Sequence, residues 1–98
     1  MIKSFADKTS EDIFHGRFST KHSRKLPNTL HKRAFLLLHA MNATKDLNDL
    51  KIPPDNRLKE LKGDRKGIWS LRINDQWRIT FHVKKPGEFS DVRIEDYH

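Results

Sequence analysis

Residues 68–83, IWSLRINDQWRITFHV, decide the fold. Every second position is apolar: Trp69, Leu71 and Ile73, then Trp77, Ile79, Phe81 and Val83, with Ser70, Arg72, Arg78, Thr80 and His82 between them. A period of two marks strands with one face buried and one open. The register follows from the same pattern, because a slip of one residue would carry a strand's whole apolar set to the wrong face. A two-residue turn at Asn74-Asp75 mixes the faces, whereas a three-residue loop, Asn74-Asp75-Gln76, pairs Ile73 with Trp77, Arg72 with Arg78, Leu71 with Ile79 and Trp69 with Phe81. That loop is the expectation.

Outward from this hairpin, KPGE (85–88) carries turn residues, and VRIEDYH (92–98) resumes the alternation with Val92 and Ile94 against Arg93 and Glu95. Continuing the register predicts Phe81 opposite Val92, Ile79 opposite Ile94, Trp77 opposite Asp96, Arg78 beside Glu95 and His82 beside Asp91. On the other side, RLKELK (57–62) is a further strand whose Leu58 and Leu61 break strict alternation and point to a bulge. The glycines of KGDRKG (62–67) make the turn into residue 68. Two consecutive prolines in IPPDN (52–56) stop all helix, so a hinge separates this half from a helical one.

In the helical half, Leu30, Ala34, Leu37, Leu38 and Met41 recur at helical spacing and put a helix over 26–41 against the sheet. Asn28 or Thr29 is the expected cap and Asn42 the expected end. Leu47 and Leu50 form a short helical turn. Asp7 caps a first helix through Phe14, ended by Gly16, and MIKSF (1–5) is β-compatible. HGRFSTKHSRK (15–25) reads as an exposed, mobile loop where a partner could bind. The expected fold class is therefore α+β: an N-terminal strand and two or three helices packed on one face of a small, mostly antiparallel twisted sheet. A single domain over 1–98 is expected, helical over about 7–50 and sheet over about 57–98.

The 98 residues carry 20 Lys and Arg against 13 Asp and Glu, a net charge of +7. Residues 51–85 hold ten basic and four acidic side chains, while the last thirteen are acidic. A cationic centre favours a polyanionic partner, nucleic acid first. The absence of cysteine excludes disulfides and thiolate chemistry. No zinc, calcium, P-loop or dinucleotide signature is present, so neither a metal nor another cofactor is expected. MIKSFADK (1–8) has no apolar run of signal-peptide or membrane-span length, and a cytoplasmic protein away from membranes is the simplest expectation.

Two arginines facing each other across a strand pair repel by up to about 1 kcal/mol. An anion between Arg72 and Arg78 would reverse that sign; alternatively the two side chains splay apart on a solvated face. RNA cleavage without metal needs a proton taken from the 2′-hydroxyl, a proton given to the leaving 5′-oxygen and a stabilised phosphorane. His98 can move a proton, since a histidine ordinarily titrates at about 6.5. Arg72, Arg78, Arg65 and Lys62 can hold phosphate. Tyr97 can stack on a base, and Asp96 can orient the imidazole or act on the hydroxyl.

NRLKELKGDRKGIWSLRINDQWRITFHV (56–83), the terminal VRIEDYH and the opening MIKSFADK together resemble the HigB-type, plasmid-maintenance killer toxins of the RelE/ParE superfamily. The joint presence of LKGDR, NDQWRI and a final DYH is more specific than any one of them. The resemblance implies a RelE/ParE-like single domain and a ribosome-dependent, metal-independent endoribonuclease that cuts mRNA during translation. It implies catalysis by Arg72, Arg78, Asp96, Tyr97 and His98, with Lys62 and Arg65 of the LKGDR loop; Lys59, Lys66 and Gln76 are expected to hold RNA phosphates beside them. It also implies a cognate helix-turn-helix antitoxin, with operator DNA reached only through that antitoxin, and contacts to ribosomal RNA. Some members carry histidine where this chain has Lys59, and a lysine, ordinarily cationic at pH 7, binds phosphate instead of accepting a proton. The alternative on the same fold is a non-catalytic toxin that inhibits a topoisomerase or occupies the ribosome.

Overall fold

A computed structural model describes residues 1–97. Strands β1 (Lys59–Glu60), β2 (Ile68–Arg72), β3 (Trp77–Lys85) and β4 (Glu88–Asp96) form one antiparallel sheet in that order. Helices α1 (Lys8–Phe14) and α2 (His31–Ala43) precede it, with 3-10 turns at Leu47–Lys51 and Pro54–Asn56 on the way. The central hairpin has the register that its alternation dictates, with Trp69 opposite Phe81, Leu71 opposite Ile79 and Arg72 opposite Arg78. Its loop has three residues: Ile73 N–H donates to Trp77 O at 2.9 Å, and the Asn74 carboxamide oxygen accepts from the N–H groups of Gln76 and Trp77. Asparagine supplies this local acceptor because its short side chain reaches the backbone two and three residues on.

One core joins Ala34, Leu37, Leu38 and Met41 of α2, Ile13 of α1 and the inward residues Leu71, Ile79, Phe81, Val92 and Ile94 of the sheet. Asp7 caps α1 by accepting from Ser10 N–H at 2.9 Å. Helix α2 starts later than expected. Neither Asn28 nor Thr29 caps it; Asn28–Leu30 form a 3-10 turn after Pro27, and the helix runs one residue beyond Asn42. Pro27, in extended backbone, turns the chain so that Leu26 is fully buried although it stands outside the helix.

The β3–β4 pairing departs from the expected register. Trp77 faces Asp96, Arg78 faces Glu95 and Ile79 faces Ile94 as expected, but after Thr80 opposite Arg93 the next pair is His82 opposite Ser90. A bulge at Asp91, whose φ is +53°, replaces the expected Phe81/Val92 and His82/Asp91 pairs. The extra residue lets both Phe89 and Val92 point inward, each fully buried. Burying a phenylalanine is worth up to about 3 kcal/mol, against about 1–2 kcal/mol for a left-handed residue, a conformation that aspartate tolerates better than most. Burial wins. The same spacing serves the N-terminus, which lies parallel to β4 through bridges Ile2 to Phe89 and Phe5 to Val92.

The strand foreseen over 57–62 shrinks to two residues, because Arg57 turns left-handed (φ +47°) and the backbone leaves the sheet at Gly63. At the β3–β4 turn, Gly87 has φ +73°, and a Cβ there would stand 3.0 Å from Lys45 O. The segment 15–25, expected as a mobile loop, is tied to both helices. Asp12 accepts from Arg17 and Thr20, Thr9 donates to His22 O, and Ser23 O lies 2.9 Å from the buried His31 ring nitrogen. Lacking apolar periodicity, it is held by polar side chains instead.

Candidate active site

With α2 on the apolar face of the sheet, the other face gathers Lys59 of β1, Ser70 and Arg72 of β2, Arg78 and Thr80 of β3, and Glu95 of β4, with Tyr97 following. Residues of one parity share a face, so the alternation that buries Leu71 and Ile79 delivers this polar row. Its two arginines are adjacent but unlike. Arg72 turns outward to two carboxylates, donating to Asp75 at 2.6 Å and to Asp55 at 3.2 Å. The Arg72 hydrogen bond holds Asp75 below the usual carboxylate range, and Asp75 in turn raises Arg72. Arg33 of α2 braces the same corner, donating to the carbonyls of Arg72 and Ile73. The expected repulsion between Arg72 and Arg78 is therefore relieved by splaying, with acids on the Arg72 side.

Arg78 is the buried member, 9% exposed. One terminal nitrogen reaches Ser70 Oγ at 3.4 Å, its buried Nε has no hydrogen-bond partner among the described residues, and its guanidinium carbon lies 4.7 Å from the centroid of the Tyr97 ring. Lys59 Nζ is 5.2 Å from the same centroid. A cation over an aromatic face is attracted by the ring quadrupole, so Tyr97 fixes the direction of both cations. Tyr97 N–H donates to Gln76 O, and Gln76 Nε2 donates to Asp96 at 3.1 Å, which ties the end of β4 to the β2–β3 loop. The expected anchoring of the chain end is present through Tyr97. His98 lies outside the described residues.

Glu95 does not compensate Arg78. It accepts from Arg65 and from Thr80, and although burial works against its charge, these two hydrogen bonds hold its pKa below the usual value. Arg65, expected as a phosphate holder, is ion-paired with Glu95 through one terminal nitrogen and raised by that hydrogen bond, with part of its side chain still exposed. Next to it a polar cavity of about 350 Å³ opens between Arg65, Thr80, His82, Arg93 and Glu95. Lys62 and Lys66 stand exposed at the two ends of the Gly63–Arg65 turn, outside this web of contacts. Among the described residues, no three His, Asp or Glu side chains converge as a metal site.

Ser70, Thr80, Asp55 and Arg33 belong to the site and were not foreseen. The register that pairs Ser70 with Thr80 already implied the first two. Nothing in the periodicity signals Asp55 or Arg33, which come from a turn and from the polar side of α2.

A sheet of this order with two helices on one face is the fold of a class of small proteins that includes the YoeB/ParE-type toxins. The chain superposes on YafQ from E. coli BL21(DE3) with a TM-score of 0.55 at 15% identity, over 98% of this chain and 93% of that one. It superposes on the YoeB/ParE toxin from Agrobacterium tumefaciens with a TM-score of 0.53 at 17% identity, over 98% and 99%. The YoeB–YefM complex from Staphylococcus aureus gives 0.55 at 16% identity, over 100% and 98%. Such identities speak for the fold alone.

The sequence goes further. Residues 3–98 match the HigB-like toxin family, the RelE-like toxin of the type II toxin-antitoxin system HigB. The chain is 31% identical to Endoribonuclease HigB of Proteus vulgaris over 98 residues, the full length of both. It is 35% identical over 81 residues to Toxin HigB-1 of Vibrio cholerae, 83% of this chain and 82% of that protein. The chain belongs to the HigB-like toxin family.

Proposed function

We propose that this toxin is an endoribonuclease that cuts mRNA on the translating ribosome, without metal, by attack of a 2′-hydroxyl on the adjacent phosphodiester. The observation that carries this reading is Arg78: a largely buried guanidinium beside the Tyr97 ring in the middle of a polar face, with no carboxylate paired to it among the described residues. A charge-assisted hydrogen bond from an arginine to a phosphate oxygen is roughly twice as strong as a neutral one. In the reaction the 2′-oxygen bonds to phosphorus, the bond to the 5′-oxygen breaks, and a 2′,3′-cyclic phosphate and a 5′-hydroxyl result. Arg78 carries the charge that grows on the phosphorane oxygens, with Arg72 behind it. His98 and Asp96 move the protons at the 2′- and 5′-oxygens, and Tyr97 positions Arg78 while its free edge meets the base. Lys59, Lys62, Arg65, Lys66 and Gln76 hold neighbouring phosphates, Arg65 while it is braced by Glu95.

The same reading takes residues 1–98 as one toxin domain working in the cytoplasm, touching ribosomal RNA as it cuts and neutralised by a helix-turn-helix antitoxin through which the pair reaches operator DNA. Among the described residues no helix is long and apolar enough to cross a membrane. The test is to map mRNA 5′ ends after expression of the wild type, His98→Ala and Arg78→Ala. Codon-associated cuts are expected from the wild type and at least about 100-fold fewer from each variant that still folds. Growth arrest with intact transcripts would instead make this a non-catalytic inhibitor of the ribosome or of a topoisomerase.

A further inference from the structure

Helix α2 presents more apolar surface than the core uses. Its core stripe is Ala34, Leu37, Leu38 and Met41, all buried, yet Leu36, off that stripe, is 56% exposed. Across a gap stands Ile52, 77% exposed and followed by Pro53. Among the described residues only four large hydrophobic side chains are exposed, and these two line the same groove of about 520 Å³ between α2 and the 52–56 segment. Paired exposed apolar residues in a groove mark an interaction surface far better than the same residues scattered singly.

The charge of the groove narrows what fits it. Its two charged lining residues, Lys32 and Arg33, are both basic. Arg33 is already engaged with the carbonyls of Arg72 and Ile73 and stands 3.9 Å from Asp55, so it is held rigidly at the groove edge. Lys32 is exposed and makes no side-chain hydrogen bond or ion pair among the described residues. Lys32, Leu36 and Ala40 recur along one side of α2 at helical spacing, with Thr29 in the 3-10 turn just before it, which suits a second helix laid alongside.

We infer that this groove is where the antitoxin docks, through an amphipathic helix whose apolar side covers Leu36 and Ile52 and whose acidic edge pairs with Lys32. The inference rests on the toxin reading above. Covering both side chains removes this exposed apolar pair from water, and an acidic edge is complementary to a basic rim in a chain of net charge +7. The groove lies beside α2 on the covered side of the sheet, so a helix seated there leaves the Arg78–Tyr97 surface to be reached by another part of the antitoxin or left open.

The test uses the full-length toxin and, as probe, the purified helix-turn-helix protein encoded beside its gene. Affinity is measured by calorimetry for the wild type, a Leu36→Glu/Ile52→Glu double variant and Lys32→Glu, and each is assayed for mRNA cleavage in a translation extract lacking the antitoxin. The expected result is a loss of affinity of at least tenfold in both variants, with cleavage within twofold of wild type, which also certifies that they fold. Amide exchange of the wild-type complex should show protection over 29–40 and 52–56. A smaller change in affinity in both variants, or protection confined to the Arg78–Tyr97 face, overturns the docking site. A wild type that neither cuts RNA nor binds its neighbour would overturn the toxin reading itself.

Discussion

Arg72 and Arg78 face each other across two strands, yet they sit in opposite electrostatic situations. Asp55 and Asp75 neutralise Arg72, whereas the nearest acid to Arg78 across the sheet, Glu95, is taken by Arg65 and Thr80. Among the described residues Arg78 has no counter-charge, and a guanidinium in that state in a partly dry site acts on a phosphate much more strongly than a neutralised one. Arg78→Ala is therefore expected to lower kcat/KM for mRNA cleavage by about 100-fold or more, and Arg72→Ala by less than about tenfold. Single-turnover rates on programmed ribosomes separate the two, and equal losses would show that the carboxylates do not screen Arg72. The adjacency of these arginines was legible in the sequence, since strand parity alone requires it. Their inequality was not, because the acids that create it lie 17 residues before Arg72 and within a turn, where no periodicity constrains direction.

At the scale of elements, the bulge in β4 records a contest that local pattern could not resolve. Alternation from Val92 backwards places Ser90 inward, while Phe89, one residue earlier, needs burial as well. The chain satisfies both aromatic burial and strand pairing by inserting Asp91 at positive φ, and the two parallel bridges of the N-terminus to Phe89 and Val92 use that spacing. Phe89 packs edge-on against Phe81, ring centroids 5.1 Å apart. Phe89→Ala should destabilise the fold by about 3–5 kcal/mol and loosen the N-terminal segment with it. Urea unfolding and amide exchange at Lys3 and Ala6, whose N–H groups donate to Phe89 O and Val92 O, would check this. A loss below about 1 kcal/mol would mean that the bulge does not depend on that ring. Helix α2 was legible because five apolar residues keep its period, and its cap was misjudged because Pro27 redirects the chain just before it.

For the whole molecule, acid sensitivity follows from three carboxylates held below their ordinary pKa. Asp12 is lowered chiefly by Thr20 and then, against burial, by Arg17; Asp75 is lowered by Arg72; and Glu95, despite its burial, is lowered by Arg65 and Thr80. A carboxylate whose folded pKa lies below its unfolded one contributes stability that is fully present above the unfolded value, about 4, and is lost as pH falls through the folded value. Thermal stability is thus expected to be flat from about pH 7 to 5 and to fall below about pH 4. Glu95→Gln should fall less steeply, since its partners Arg65 and Thr80 no longer gain from ionisation at that position. Parallel melting curves for the two proteins against pH would remove Glu95 from this account.

The amino-acid sequence by itself determined the α+β class, the odd-numbered hairpin loop, the pairing of Arg72 with Arg78 and the arrival of Asp96 and Tyr97 beside that hairpin. All of these follow from apolar residues having to share a face, a constraint written at a period of two or four residues. Only the tertiary structure decided which charges meet: Arg65 with Glu95, Arg72 with Asp55 and Asp75, and Arg78 with the Tyr97 ring. Side chains that turn toward water obey no period, and their partners are chosen by distances between elements far apart in the chain.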